Sequence, residues 1–162
     1  MKFQDLAKKI KIFHGLNTEQ LKRIEPYLEE IKFTPGEWVF EEGTNATGMF
    51  VIRSGSIEVW KSVESEKCGF CLGGLVAGDC FGEMSLVDCQ RRSANVLAKT
   101  DLSVFYLPYD AMSQIYESDP KLFGLLILNI AREISRRLRS TDNSFVEFAL
   151  PPQSNYKQNQ SG

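Results

Sequence analysis

Residues 27–109 contain a series of short β-rich segments separated by glycines, and this pattern constrains the fold more than any other feature of the chain. Short segments rich in β-branched and aromatic residues are typical of strands. Many such strands at this spacing favour an antiparallel sandwich or roll. The segments are Glu30–Phe33, Trp38–Phe40, Met49–Ile52, Ile57–Trp60, Gly74–Val76, Asn95–Ala98 and Ser103–Leu107, and the glycines are Gly36, Gly43, Gly48, Gly55, Gly69, Gly73, Gly74 and Gly78.

Helical patterns lie on both sides of this β-rich region. Over residues 3–26 apolar side chains recur at three-to-four-residue steps, which predicts helix. Asn17 and Gln20 form a capping-box pattern before the second helical piece. A further helical piece is predicted near Asp110–Tyr116. We therefore expect a mainly β fold with flanking helices.

The longest predicted helix runs from Pro120 to about Thr141, with Asp119 as its N-cap. Its first half is apolar nearly all round, whereas a helix on the surface of one domain needs a single apolar stripe. A seam with the spacing of a two-stranded coiled coil consists of Ile127, Ala131, Ile134 and Leu138. Two interpretations stay open: a homodimer through this helix, or a helix buried wholly in its own domain. Residues 143–162 are expected to form an extension with a disordered tail from Pro151.

Charge and hydropathy argue against several classes of protein. The 19 Lys and Arg against 21 Asp and Glu leave a net charge of −2, which argues against a strongly basic duplex-binding domain. The longest strongly apolar run, Leu122 to Ala131, is too short to cross a bilayer. The N-terminal residues lack the apolar core of a signal peptide. We therefore expect a cytoplasmic protein with no membrane partner.

The cysteines and the single histidine point away from metal chemistry and catalysis. Cys68 and Cys71 form a C-x-x-C pair, and Cys80 and Cys89 follow. A zinc or redox site is one alternative, but structural zinc sites usually repeat the close pair, so the spacing favours small buried thiols and no metal. His14 is the only histidine, so no credible Ser-His-Asp or Cys-His constellation is available and we expect no enzymatic activity.

Residues 78–96 carry the most specific chemical signal. Glycines beside acidic residues at the start of a short apolar turn predict free backbone amides at a helix N-terminus, which attract anions. Arg92 stands nine residues after Glu83 at the head of a strand, where its guanidinium can hold a phosphate. A carboxylate beside an anion site suits a ligand that also offers hydroxyl donors. The pattern therefore indicates a sugar phosphate, with a surface Glu–Arg pair as the alternative.

The chain resembles the cyclic nucleotide-binding domain family, which includes bacterial catabolite activator proteins and the regulatory subunits of cyclic-nucleotide-dependent kinases. The resemblance covers roughly residues 12 to 142, and it implies an eight-stranded antiparallel β-roll, similar to a jelly roll, over residues 27–109. The family's phosphate-binding cassette is matched by Phe81-Gly82-Glu83-Met84-Ser85-Leu86 and Arg92-Ser93-Ala94, and we use the name cassette for residues 81–94. Its glycine-punctuated strands are matched by Phe40-x-x-Gly43 and Phe50-x-Ile52-x-x-Gly55-x-Ile57-x-Val59.

The resemblance also implies which residues bind the ligand. Glu83 accepts the ribose 2′-hydroxyl, Arg92 pairs with the cyclic phosphate, and Ser93 adds a hydroxyl bond to the phosphate. The residues that supply backbone amides and close approach are Gly82, Met84 and Ser85. This sequence departs from the family pattern at Arg91, where proline is common, and at Cys89, where glycine is frequent.

The predicted C-terminal helix aligns with the mobile helix that covers the ligand in this family. The resemblance places Arg137 opposite Glu83 and Thr141 where catabolite activators contact adenine. Asp142 stands where a serine is expected, which weakens the case for a base contact across subunits.

The expected function is a stand-alone cyclic nucleotide sensor that favours cyclic AMP over cyclic GMP and signals to another protein by moving its C-terminal helix. The alternative is a dimerisation or docking module that keeps the fold without binding nucleotide. Only 21 residues follow Thr141, too few for the winged helix of catabolite activators, so no DNA binding is expected.

Overall fold

Eight antiparallel strands in the described part of the chain form two four-stranded sheets. The structure is a computed structural model that describes residues 3–63 and 69–149. One sheet has the strand order β1-β8-β3-β6 and the other has the order β2-β7-β4-β5. The strands are β1 Glu29–Phe33, β2 Trp38–Phe40, β3 Gly48–Ser54, β4 Ser56–Lys61, β5 Phe70–Val76, β6 Cys80–Phe81, β7 Asn95–Ala98 and β8 Leu102–Pro108. The predicted eight-stranded β-roll is confirmed.

The sequence pattern located seven of these strands and missed β6. A strand of two residues is too short to show an alternating pattern, and β6 is recognised only because it pairs with β3 through Phe50 and Phe81. β5 begins at Phe70, four residues before the predicted start at Gly74. Gly73 and Gly74 have no side chains and so interrupt the alternating pattern of β5. The segment nevertheless pairs along its length with β4.

The core between the two sheets consists of apolar side chains that alternate inward along the strands. Its fully buried members include Ile52, Ile57, Ala98 and Val104. The rings of Phe50 and Phe81 stack in this core with their centroids 5.1 Å apart. This aromatic layer forms one wall of the cassette.

The N-terminal region is a chain of short helices, so the helix predicted over residues 3–26 is present in separate pieces. Ile10 has an extended backbone and Gly15 has a φ of 81°, so the helix is interrupted twice. The predicted capping box is confirmed, since Asn17 and Gln20 bond reciprocally at 2.9 Å. The elements are helix α1 Phe3–Ala7, a 3-10 turn at Lys11–Phe13, helix α2 Thr18–Ile24 and a second 3-10 turn at Glu25–Tyr27.

Three further helices complete the described structure: α3 Met84–Asp88, α4 Tyr109–Ser118 and α5 Pro120–Ala149. Asp119 caps α5 as predicted, because its carboxylate accepts the Leu122 amide at 3.0 Å. The helix runs eight residues past the predicted end at Thr141, since no glycine or proline interrupts it there. Phe148 and Leu150 of the predicted extension, and the tail from Pro151, lie outside the described side chains. None of the helices in the described ranges combines the length and apolar character needed to cross a bilayer.

α5 buries one face in its own domain and exposes another apolar face. Leu122, Leu126 and Ile130 are fully buried against the N-terminal segment, α4 and β3. Within the predicted seam, Ile127 and Ile134 pack partly against this core, whereas Ala131 and Leu138 are exposed. The helix is therefore not wholly buried in its own domain. Its large exposed apolar side chains are Leu128, Leu138, Phe145 and Val146.

A buried asparagine fastens α5 to the N-terminal 3-10 turn. The Asn129 amide nitrogen donates to the backbone oxygens of Ile12 at 3.0 Å and His14 at 2.8 Å. The Asn129 side-chain oxygen accepts from Arg132 at 3.1 Å. A buried polar group with all its partners satisfied fixes the register of two elements that apolar contacts alone leave free to slide.

Replacing Asn129 with alanine should lower the free energy of unfolding by about 1–3 kcal/mol, because two backbone acceptors lose their donor inside the protein. Asn143→Ala is the matched control, since Asn143 is exposed on the same helix and the gain in helix propensity is the same. Urea denaturation of the two variants measures the difference. Equal stabilities would show that the Asn129 bonds do not fasten α5.

Candidate functional site

The cassette is a loop-and-helix segment between β6 and β7 that folds back over the end of the roll. Gly82 connects β6 to α3 with a φ of 74°, in the region that favours glycine. A Cβ atom at this position would lie 2.5 Å from Nη1 of Arg92. Glycine is therefore required here both by the turn and by the guanidinium that packs against it.

Arg92 is buried, with 5% of its surface exposed, and its guanidinium contacts backbone oxygens. Nη2 donates to the Gly48 oxygen at 2.7 Å and Nη1 to the Gly82 oxygen at 3.1 Å. The guanidinium carbon lies 4.2 Å from the centre of the Phe40 ring. Nε is buried without a hydrogen-bond partner, and among the described residues no carboxylate lies within ion-pair distance of Arg92.

This arrangement leaves a buried positive charge that an anion can neutralise. Burial lowers the pKa of Arg92, and Tyr109 and Tyr106 oppose the shift. A buried charge without a counter-charge is costly, so a bound anion would be stabilised here far more than at the surface.

Glu83 is the second buried charge of the cassette, with 2% of its surface exposed. Its Oε1 accepts from Nη1 of Arg137 at 2.9 Å, so the predicted contact between these residues is present. Arg137 also donates to the backbone oxygen of Cys80. Burial raises the pKa of Glu83; the Arg137 charge opposes this shift, and the nearby Glu133 adds to it. The helix α5 therefore provides a cation that favours the ionised form of this carboxylate.

A small cavity of about 90 Å³ lies between these charges. Ligand sites for molecules of nucleotide size usually have ~300–1,000 Å³, so this cavity must widen to hold one. Met84 is half exposed and accepts a bond from the Ser93 hydroxyl, with oxygen and sulfur 3.8 Å apart. The residues that line the cavity include Gly82, Glu83, Met84, Ser85, Arg92, Ser93 and Arg137.

Seven of the eight predicted ligand-binding residues therefore surround one cavity, and Thr141 does not. Thr141 is exposed one turn beyond Arg137, and its hydroxyl donates to the Arg137 backbone oxygen at 3.0 Å. A role for Thr141 in base contact stays a prediction.

The two departures from the family pattern both lie on the outer side of the cassette. Cys89 ends α3 in the left-handed conformation, with a φ of 56°, which explains why glycine is common there. Arg91 is exposed and donates to the Gly43 oxygen at 3.0 Å. Both residues line a second, larger cavity of about 810 Å³ behind α3, and Ser85 borders both cavities. Neither departure removes a charged group from the cassette.

The cysteines do not form a metal site in the described part of the chain, where no three Cys, His, Asp or Glu side chains cluster suitably. Cys80 is buried, and burial raises the pKa of its thiol. The prediction of small buried thiols is wrong for Cys71 and Cys89, because Cys71 lies on the exposed edge strand β5 and Cys89 lies at the exposed end of α3. Cys68 lies outside the described residues.

Sequence reasoning missed a group of charged residues behind Glu83. Lys11 forms one ion pair with Asp79 and another with Glu133 of α5. Lys11 and Glu133 are 122 positions apart, so no local pattern could have linked them.

Comparison with known proteins is consistent with this geometry. A family model for the cyclic nucleotide-binding domain matches residues 30–119. The cGMP-dependent protein kinase egl-4 of Caenorhabditis elegans is 25% identical over 155 residues, which are 92% of this chain and 20% of the kinase. The cyclic AMP receptor protein of Thermus thermophilus is 27% identical over 132 residues, which are 81% of this chain and 58% of the receptor. This chain thus spans only part of these relatives' length.

Solved structures show the same fold. A cyclic nucleotide-binding domain from Methylobacillus flagellatus aligns with a TM-score of 0.81 and 23% identity, covering 93% of this chain and 84% of that one. The Thermus thermophilus catabolite activator protein aligns with a TM-score of 0.73 and 26% identity, covering 86% of this chain and 63% of that one. Because the family model matches more than half of the sequence, this chain belongs to the cyclic nucleotide-binding domain family.

Proposed function

We propose that this protein is a cyclic nucleotide sensor that binds the cyclic phosphate at Arg92 and the ribose 2′-hydroxyl at Glu83. The observation that carries the proposal is the pair of buried, oppositely charged groups that line one cavity without forming an ion pair with each other. An anion suits the guanidinium, and a hydroxyl donor suits the carboxylate. A cyclic nucleotide presents both groups a few bonds apart.

The ligand we propose is cyclic AMP, with weaker binding of cyclic GMP. The names of the relatives include both cAMP-dependent and cGMP-dependent proteins, so they do not decide between the bases. In the family, threonine directly after the cassette arginine favours cyclic GMP, because its hydroxyl also reaches the guanine amino group. Ser93 carries the hydroxyl without the methyl that restricts its rotamer, so that bond is less well held.

Signalling in this proposal is a movement of α5 with no chemistry on the ligand. Arg137 lines the cavity and holds Glu83, so a nucleotide that contacts Glu83 changes the environment of α5 directly. A ligand with different affinities for two positions of α5 shifts their populations. We place the protein in the cytoplasm, where the thiols of Cys71, Cys80 and Cys89 stay reduced, and we propose that its partner is a protein chain rather than DNA.

Dimerisation through α5 is a second proposed activity, and the exposed apolar face of the helix supports it. Leu138 is 61% exposed, and Leu128, Phe145 and Val146 are also exposed on the same helix. A run of large apolar side chains along an exposed helix usually marks an interface. A second copy of α5 is the occupant that the seam spacing favours.

The first test is the variant Arg92→Ala, which removes the proposed counter-charge of the phosphate. We expect a loss of about 3–5 kcal/mol in binding free energy, by analogy with broken buried ion pairs. This is roughly a hundred-fold or greater loss of affinity for cyclic AMP in calorimetry. Arg91→Ala is the control, because Arg91 is the exposed neighbour and contacts only the Gly43 backbone oxygen in the described contacts. Parent-like binding by a folded Arg92→Ala variant would refute the phosphate assignment.

A substitution at Ser93 should change the preference between cyclic AMP and cyclic GMP. Ser93→Thr should shift the ratio of affinities toward cyclic GMP by up to about ten-fold, since one neutral hydrogen bond is worth ~0.5–1.5 kcal/mol. Ser93→Ala, which removes the hydroxyl, should shift the ratio the other way. Competition binding with both nucleotides measures the ratio. A parent that already binds cyclic GMP far more tightly would contradict the proposed preference.

The dimer can be tested with Leu138→Glu, which places a charge on the exposed face. The variant should be monomeric in sedimentation velocity under conditions in which the parent forms dimers. Ser140→Glu is the control, because it adds the same charge to the same helix away from the seam. A parent that stays monomeric at its highest attainable concentration, with and without cyclic AMP, would exclude this dimer.

A further inference from the structure

A buried glutamate on α5 is held by three cations, and only one of them reaches the cassette. Glu133 has 3% of its surface exposed. Its Oε2 accepts from Arg136, and its Oε1 lies 3.4 Å from Nζ of Lys11 and 3.6 Å from Nε of Arg137. Because the carboxylate is buried, it requires nearby positive charge, and any loss of one cation increases its attraction for the others.

Lys11 connects this carboxylate to the turn that leads into the cassette. Its Nζ lies 2.6 Å from Oδ1 of Asp79, which is itself buried and accepts the Val76 amide at 3.0 Å. The hydrogen bond to Asp79 raises the pKa of Lys11, and the negative charges of Asp79 and Glu133 raise it further. The Lys11 backbone amide also donates to the Gly78 oxygen at 3.2 Å, so the base of this side chain is fixed.

Arg137 is shared between two buried carboxylates. Its Nη1 bonds Glu83 at 2.9 Å, whereas its Nε lies 3.6 Å from Glu133 and makes no hydrogen bond. The side chain is about one-third exposed. Its position therefore depends on how much of the Glu133 charge is already balanced by Lys11 and Arg136.

We propose that Lys11 and Glu133 are positioning residues that aim Arg137 at Glu83 and so determine how strongly the site recognises the ribose 2′-hydroxyl. The inference rests on the proposed function. While Lys11 balances the negative charge of Glu133, Arg137 stays paired with Glu83. Without Lys11, Arg137 moves toward Glu133, and Glu83 loses the cation that orients it and favours its ionised form.

The test compares cyclic AMP with 2′-deoxy cyclic AMP, which lacks the hydroxyl, by calorimetry. Lys11→Gln should weaken cyclic AMP binding by about ten-fold, the order of one hydrogen bond to a charged group, and leave the deoxy analogue within about two-fold of the parent value. Lys8→Gln is the control, since it removes an exposed charge from the same segment. The double variant Lys11→Gln with Glu133→Gln should recover cyclic AMP binding, because the competing carboxylate is gone.

Equal weakening of both nucleotides by Lys11→Gln, or no recovery in the double variant, would overturn the inference and indicate a purely structural role. A second measurement separates this failure from a failure of the proposed function. In the ligand-free protein, the Nε–H resonance of Arg137 should shift in Lys11→Gln and stay in place in Lys8→Gln. If the parent binds neither nucleotide, the proposed function fails, and an unshifted resonance then also overturns the positioning role.

Discussion

Two buried charges of opposite sign line one cavity without pairing with each other, and the arrangement of the surrounding elements depends on how each is stabilised. Arg92 is held by the backbone oxygens of Gly48 and Gly82 and by the face of Phe40. Glu83 is held by Arg137, which comes from α5. Because burying an unpaired carboxylate is costly, the cassette and α5 stabilise each other, and neither can move without a change in this electrostatic balance.

Local patterns in the sequence indicated many short antiparallel strands and a segment that binds an anion, and the resemblance to the family implied the β-roll and the cassette. The strand β7 shows alternating burial, and Gly82 occupies the turn against which the Arg92 guanidinium packs. Elements without a local pattern were missed or misjudged. β6 is too short to alternate, and the apolar spacing of the N-terminal region does not show where its backbone breaks at Ile10 and Gly15.

The remaining features depend on contacts between distant parts of the chain. Asn129 was visible only as a polar interruption in an apolar helix, and its role follows from the backbone oxygens of Ile12 and His14, more than a hundred positions away. Lys11 and Glu133 belong to segments that look like ordinary solvated charge in the sequence. The burial of Glu133 and its contact with Lys11 follow from how α5 packs over the N-terminal 3-10 turn, and side-chain chemistry alone does not predict that packing.

The small cavity and the exposed face of α5 together constrain how binding and assembly are related. A cavity of about 90 Å³ is smaller than ligand sites of nucleotide size, so under the proposed function Arg137, Met84 or the elements that carry them must move when a nucleotide binds. The same helix carries the exposed Leu138, Phe145 and Val146. If a second copy covers this face, ligand and partner both favour particular positions of one rigid element. Linkage then requires the coupling to be reciprocal: whatever factor the nucleotide contributes to dimer affinity, the dimer contributes to nucleotide affinity.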